Sequence, residues 1–344
     1  MSVESAANET AARIEHLARA EPERLGLPRA APSDEEVRIR SIGAGESYAA
    51  WLLEVDGSAP RVVRIARRPV ADLPRPMAEE FAALAVVPHD VGPAPVLLDQ
   101  TEGNPLGPPY MVTGYVPGRE RKLAEWDDAL LAAHASQMAR LHGQVFDRRG
   151  EITAAHENRS STLSLANLFS SSLAWWQESN PDVVADRDVA RLLPRVEAFI
   201  AAAGPAFARL ARFAVIHGDL VVPNILVDEA GMPRYVDWEW AEVGDAAQDL
   251  AYVGGYVSAP PWYLPLDRGQ IRGLLESYLQ QVSGMDDETV DTLETRRDAG
   301  EVYERFFSSL HFRTRRGTPE DVQSGRYTGA VAQLTAGLDA RLGR

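Results

Sequence analysis

Cysteine is absent from this 344-residue chain. That excludes disulfides, thiolate metal sites and any cysteine nucleophile, so a bound metal would have to rest on oxygen or imidazole. Lysine is nearly absent as well: Lys122 is the only one, and every other basic side chain is arginine. No apolar run approaches the ~20 residues of a membrane-spanning helix. The first twenty positions carry Glu4, Glu9, Arg13 and Glu15 where a secretory leader is apolar, so a cytoplasmic protein is expected. Positive charge is the minority sign, 35 basic against 50 acidic residues, for a net charge of −15. Phosphate backbones and anionic lipid repel such a chain, and neither nucleic acid nor membrane is expected as a partner. The seven histidines show no His-x-x-x-His or paired Glu/His spacing, which argues against zinc. Serine hydrolysis finds no Gly-x-Ser-x-Gly elbow.

What is present is an ordinary globular composition, 45% hydrophobic and 25% charged, on a length that suits about two domains. Residues 1–36 read as an N-terminal helical appendage, with a weak apolar pattern over Ala11 to Ala20 running into Pro22, Pro28 and Pro32. From Val37 the period switches to two. Val37 to Ile42, Tyr48 to Val55 and Arg61 to Ala66 alternate as three antiparallel strands, with a glycine-rich first turn at Gly43, Gly45 and Ser47 and a hairpin signal at Asp56-Gly57. A helix over Ala78 to Val87 and strands at Val96 to Leu98 and Tyr110 to Tyr115 complete a small first lobe. After Pro117-Gly118 the pattern is helical, with β signals only at Phe213 to Ile216, Ile225 to Val227 and Arg234 to Trp238. Helices are expected at Asp267 to Val282, from about Asp287 to Phe312, and over Pro319 to Leu342.

The informative stretch runs His217-Gly218-Asp219, then Asn224 five residues later, then Asp237-Trp238, then Gly244-Asp245 and Asp249-Leu250-Ala251. A strand delivers Asp219 into a loop, Asn224 opens a hairpin, and Asp237 ends its return strand. Two carboxylates and an amide are hard oxygen ligands of the kind Mg²⁺ takes alongside water and nucleotide phosphates. Phosphoryl transfer needs few protein parts: metal ligands, an aspartate near the acceptor hydroxyl, cationic cover for the phosphates and a flexible lid. The turn from Gly43 to Ser47 is expected to be such a lid, although a lone Gly43-x-Gly45 reads as a tight hairpin turn.

This ordered set resembles the aminoglycoside phosphotransferase and choline kinase group of small-molecule kinases, over roughly residues 37 to 260. The resemblance implies an α+β protein with the two-lobed protein-kinase-like fold: a nucleotide-binding lobe with its hinge at 37–116, five antiparallel strands and one helix, and a larger, mostly α-helical lobe at 117–344. It implies Asp219 as the catalytic aspartate, Asn224 and Asp237 as magnesium ligands, and His217 and Asp249 as structural supports. Nucleotide, ATP or GTP, would be held by Gly43, Gly45 and Ser47, by Arg64 paired with Glu80 (Glu79 as the fallback), and by the hinge at Val112, Thr113 and Tyr115. A bidentate Arg64–Glu80 pair would fix the guanidinium plane. Arg64 stands where most kinases of this fold keep lysine, and Arg64 to Pro69 resembles the macrolide-phosphorylating branch, although Asn224 replaces the histidine of that branch. The acceptor stays open among aminoglycosides, macrolides and amino alcohols, in a monomer or weak homodimer. The alternative is a non-catalytic nucleotide-binding pseudokinase, and a protein Ser/Thr kinase is disfavoured because His-Gly-Asp replaces His-Arg-Asp.

Three further features are expected to be structural. His142 reads as a satisfied core histidine, Trp175-Trp176 as packing between lobes, and Asp286 to Glu288 with Glu301 and Glu304 as a solvated helix face.

Overall fold

Strand period and turn chemistry set the first sheet. In the computed structural model, which describes residues 3–29, 37–284 and 287–343, β1 (Val37–Ala44), β2 (Tyr48–Val55) and β3 (Arg61–Ala66) form the expected meander. Gly57 closes the second turn at φ 81°, a conformation open to glycine at no steric cost. Helix α1 (Val3–Ala20) precedes the meander, α2 (Met77–Val86) follows it, and β4 (Pro95–Asp99) and β5 (Tyr110–Gly114) complete an antiparallel sheet of order β1-β2-β3-β5-β4. The chain divides into two units: Met1–Pro117 with Tyr235–Ala241, and Gly118–Arg234 with Glu242–Arg344.

The N-terminal segment is no appendage. Ile14, Leu17, Ala18, Leu25 and Leu27 are buried in one cluster with Trp51, Leu53, Val63, Ile65, Tyr110 and Val112 from one face of the sheet. The stripe is Ala7, Ala11, Ile14 and Ala18, spaced four, three and four residues, a helical period written mostly in alanine and hence faint in hydropathy. The return of Tyr235–Ala241 to the first unit is likewise invisible in the sequence pattern.

The second unit opens with β6 (Arg119–Glu120) and α3 (Asp128–Leu141), whose N-cap Asp127 accepts from Leu130 N at 2.9 Å. Then come β7 (Val145–Phe146), α4 (Leu165–Ser179), α5 (Pro181–Val184), α6 (Arg187–Ala202), α7 (Gly204–Phe207) and β8 (Phe213–Ile216). β9 (Ile225–Val227) and β10 (Pro233–Tyr235) make the hairpin, followed by β11 (Glu242–Gly244), α8 (Ala246–Tyr252), β12 (Gly254–Gly255) and β13 (Leu264–Pro265). Helices α9 (Arg268–Leu279), α10 (Val290–Arg315), α11 (Pro319–Ser324) and α12 (Arg326–Leu342) end the chain, the last pair separated by Gly325 at φ 65° where one helix was expected. The added short strands join the sheets β10-β9-β6 and β11-β8-β7. These added strands, two or three residues long, show no period and pair with partners that no adjacent hairpin turn announces, so sequence reading passes over them. The protein is thus a mixed α/β chain with an antiparallel N-terminal sheet and a helical C-terminal part. Among the described residues no helix is long and apolar enough to cross a membrane.

Helix α10 carries buried charge in place of the solvated face expected there. Arg297 pairs with Glu301, both fully buried, and Glu288 pairs with Arg296 at 2.7 Å. Glu304 accepts from Tyr252 Oη at 3.0 Å and Ser308 Oγ at 2.8 Å. Asp286 lies outside the described residues. Trp175 does not pack as expected either: it is 57% exposed and meets the edge of Trp176.

Candidate active site

Arg64 lies in the middle of β3, flanked by β2 and β5, and its strand position aims it away from the cluster that α1 covers. Its guanidinium Nη1 donates to Glu80, a buried residue in the first turn of α2, and its Nη2 donates to Asp237 Oδ1 at 2.6 Å. The Arg64–Glu80 pair is therefore present, but the fork is shared between two carboxylates where a bidentate pair was expected. Glu80 Oε2 is buried without a hydrogen-bond partner among the described residues.

Asp237 owes its place to a stapled segment. Tyr235 N donates to Val91 O at 2.8 Å, and Trp238 Nε1 donates to Tyr235 O at 3.0 Å. The Trp238 ring is fully buried against Gly92, where a Cβ would meet it at 3.0 Å. The return strand stops at Tyr235, and Asp237 adopts φ 66°, the one positive φ of a non-glycine among the described residues. A backbone held in that sparsely populated region costs on the order of 1 to 3 kcal/mol and marks functional positions more often than others.

Glu239, two residues on, is a member of this group that sequence reasoning missed. The signal was an acidic residue at the second position after Asp237. Burial raises its carboxyl pKa, as does the Asp237 charge, against the opposing Ser47 hydrogen bond and the charges of Arg64 and Arg68. Ser47 is accordingly buried with its hydroxyl engaged by Glu239. Gly43, expected in the turn, lies within β1 opposite Ala50, past a register shift after Ser41, and only Gly45 belongs to the exposed turn, which its N closes on Tyr48 O at 2.9 Å.

Of the hinge residues, Val112 and Thr113 are paired in register with strands on both sides, and the Val112 side chain belongs to the cluster under α1. Gly114 N donates to Ala94 O at 2.8 Å and Tyr115 N to Pro60 O at 3.2 Å. The main-chain donors at Gly114 and Tyr115 are thus committed within the unit.

In the second unit, β8 delivers His217-Gly218-Asp219 into a loop anchored on Asp249 of α8. Asp249, fully buried, accepts from His217 N at 2.7 Å, from Gly218 N at 2.9 Å and from His142 Nε2 at 3.2 Å. Burial alone would raise its pKa. The His142 hydrogen bond, the charges of His142 and His217, and the His217 amide outweigh it and hold the carboxyl below its ordinary value. His142 is satisfied, as expected, and its second nitrogen meets Tyr278 Oη at 3.1 Å. It also helps fix the loop, which the bare Leu141-His142 pair did not reveal. Gly218 takes φ 79°, the turn that throws Asp219 clear of the strand. Asn224 Nδ2 donates to Asp219 Oδ2 at 3.0 Å and to Asp219 O at 2.8 Å, and Asp219 N faces His217 Nδ1 at 3.3 Å.

Each unit therefore holds a distinct group: a cation shared by two carboxylates in the first, and an aspartate with its amide partner on a braced loop in the second. Among the described residues no three of His, Asp and Glu gather into a metal cage.

Comparison with curated proteins found no match. Among solved structures the chain is similar to an ethanolamine kinase from Plasmodium vivax, at 12% identity over 94% of this chain and 87% of that one, TM-score 0.64. It is similar to the macrolide 2′-phosphotransferase MphH from Brachybacterium faecium, at 20% identity over 96% and 98% of the two chains, TM-score 0.55. It is also similar to the protein of the streptomycin–ATP–APH(2″)-IIa ternary complex, at 12% identity over 95% and 98%, TM-score 0.55. At these identities the likeness establishes the fold. Residues 38–289 match the model of the phosphotransferase enzyme family, and with that match, most of its length and the whole of both groups included, the chain belongs to that family of small-molecule kinases.

Proposed function

We propose that the protein transfers the γ-phosphoryl group of ATP or GTP to a hydroxyl of a small molecule of the aminoglycoside, macrolide or amino-alcohol kind. The observation that carries this reading is the Asp219–Asn224 pair on a loop braced by the buried Asp249. A loop held at two main-chain donors, His217 N and Gly218 N, presents one carboxylate in a fixed pose, which is what a base serving an acceptor hydroxyl requires. Asp219 would orient that hydroxyl and receive its proton as the oxygen attacks. Arg64 would cover phosphate oxygens, with its charge held by Glu80. Asn224 and Asp237 would hold Mg²⁺, which when bound neutralises charge on the phosphates. The end of β1 at Gly43 and the exposed turn at Gly45, with Ser47 behind it, would lie over the phosphates, and the chain from Val112 and Thr113 to Tyr115 would border the base.

The pseudokinase alternative rests on Arg64 standing where a strand lysine is usual. The Arg64–Glu80 pair supports the catalytic reading instead, because an arginine always keeps its charge and here has the carboxylate that the role requires. The test is a panel assay of nucleotide turnover with Mg²⁺, ATP and GTP in parallel, against aminoglycosides, macrolides and amino alcohols. Acceptor-dependent phosphate transfer that disappears in Asp219→Ala is the expected result. A protein silent toward every acceptor and toward water would return the pseudokinase reading.

A further inference from the structure

Nothing in the kinase reading explains why the β3 cation is an arginine, and the sheet register offers a reason. Tyr48 is paired with Ala66 and Ala50 with Arg64, so Tyr48 and Arg64 are diagonal neighbours on one face of β2 and β3. Diagonal pairs in antiparallel strands lie within reach of an aromatic ring and a long side chain. The residue directly opposite Arg64 is the small Ala50, which leaves the guanidinium room to fold across. It does so, with Arg64 Cζ 4.4 Å from the centroid of the Tyr48 ring. Tyr48 itself is buried, at 6% exposure. Burial pushes its phenol up to about 12, with the Arg64 charge opposing and the Glu239 and Asp237 charges adding, so the ring stays neutral at physiological pH.

The ring supplies what the carboxylates do not. Glu80 engages only one of the Arg64 nitrogens and Asp237 another, so neither carboxylate alone sets the guanidinium plane. A flat, delocalised cation gains from lying over an aromatic face, whereas an ammonium is a point charge without a plane to orient. We propose that Tyr48 is a positioning residue for nucleotide binding: its ring holds the plane of the Arg64 guanidinium, and this stack is what adapts the β3 position to arginine. The proposal rests on the kinase reading, in which Arg64 meets phosphate.

The test is a double-mutant cycle on the full chain, read as the dissociation constant of Mg²⁺-ATP and Mg²⁺-GTP by calorimetry. Tyr48→Phe keeps the ring and should stay within about twofold of the parent, while Tyr48→Leu should weaken nucleotide binding about tenfold. In an Arg64→Lys background the same Tyr48→Leu change should cost about twofold or less. Tyr48→Met serves as a second non-aromatic replacement, and thermal unfolding of each variant separates lost binding from lost fold. Tyr48→Phe as weak as Tyr48→Leu, an unaffected Tyr48→Leu, or equal losses in the Arg64 and Lys backgrounds would each overturn the stack. A parent that binds neither nucleotide would sink the kinase reading and this proposal with it, whereas a parent that binds with Tyr48 indifferent sinks this proposal alone.

Discussion

Asn224 turns its side-chain amide onto Asp219, giving Nδ2 to the carboxylate at 3.0 Å and to the main-chain oxygen at 2.8 Å. The second bond closes the loop, the first fixes the rotamer, and together they leave the Asn224 amide oxygen for another partner. Asp219→Ala removes the base together with the 3.0 Å bond and keeps the bond to the main-chain oxygen that closes the loop. Phosphate transfer should fall by ~10² to 10⁴ while nucleotide affinity stays close to the parent's, as steady-state rates and calorimetry would show together. Equal turnover by mutant and parent would remove Asp219 from the chemistry.

Asp237 is half-exposed, strained at φ 66° and bonded to Arg64. If it holds Mg²⁺, Asp237→Asn should weaken Mg²⁺-nucleotide binding more than Asn224→Ala does, because a carboxylate contributes charge to a hard cation and an amide only a dipole. Nucleotide affinity should collapse in chelator. The same affinity with and without Mg²⁺ would show that the metal is not bound there.

The buried Asp249 meets two backbone amides as well as His142. Asp249→Asn puts an amide NH₂ against at least one of those N–H donors, leaving buried groups unsatisfied. That should cost about 2 to 4 kcal/mol in urea unfolding and should lower turnover through a loosened loop. A variant as stable as the parent would mean that the loop is held by its other contacts.

The Asp219–Asn224 pair was legible because its members stand five residues apart on one loop, and the meander was legible because alternation and Asp56-Gly57 state it locally. The Arg64–Glu80 pair was implied by the family resemblance and is present, though shared with Asp237. What escaped was decided by long-range packing. The alanine stripe of α1 looks weak until the sheet face that it covers is known. Glu239 shows its role only once Ser47 is seen beside it, and the charges of α10 look solvated until Arg296 and Arg297 are seen to pair inside. Val112 was named for its position in a hinge, but the two-residue period of a central strand places its side chain in the cluster under α1.

The burial of α1 and of the turn that follows it has its own consequence. Ile14 and Leu25 are fully buried in the sheet cluster. Ile14→Ala or Leu25→Ala should each lower unfolding free energy by about 2 to 5 kcal/mol, the usual cost of emptying a core position. An appendage would tolerate both changes with an unchanged denaturation midpoint.

His134, at zero exposure in α3, gives a pH dependence with a definite sign. Burial, the largest influence, drives its pKa down from 6.5 to about 3, with the Asp249 charge opposing and the His142 charge assisting. Between those two values the unfolded chain binds a proton that the folded chain refuses, so stability must rise with pH through that window and fall as the solution is acidified. One such group contributes at most about 1.4 kcal/mol per pH unit. Asp249, whose folded pKa is depressed, adds a loss of the same sign, but only below the ordinary aspartate value of 3.8. The two are separable by where they act. His134→Leu should flatten the stability profile between pH 6.5 and 4 while leaving the steeper fall below pH 4 in place. Urea unfolding across that range reads the difference, and a His134→Leu profile parallel to the parent's between pH 6.5 and 4 would show that another group carries the proton.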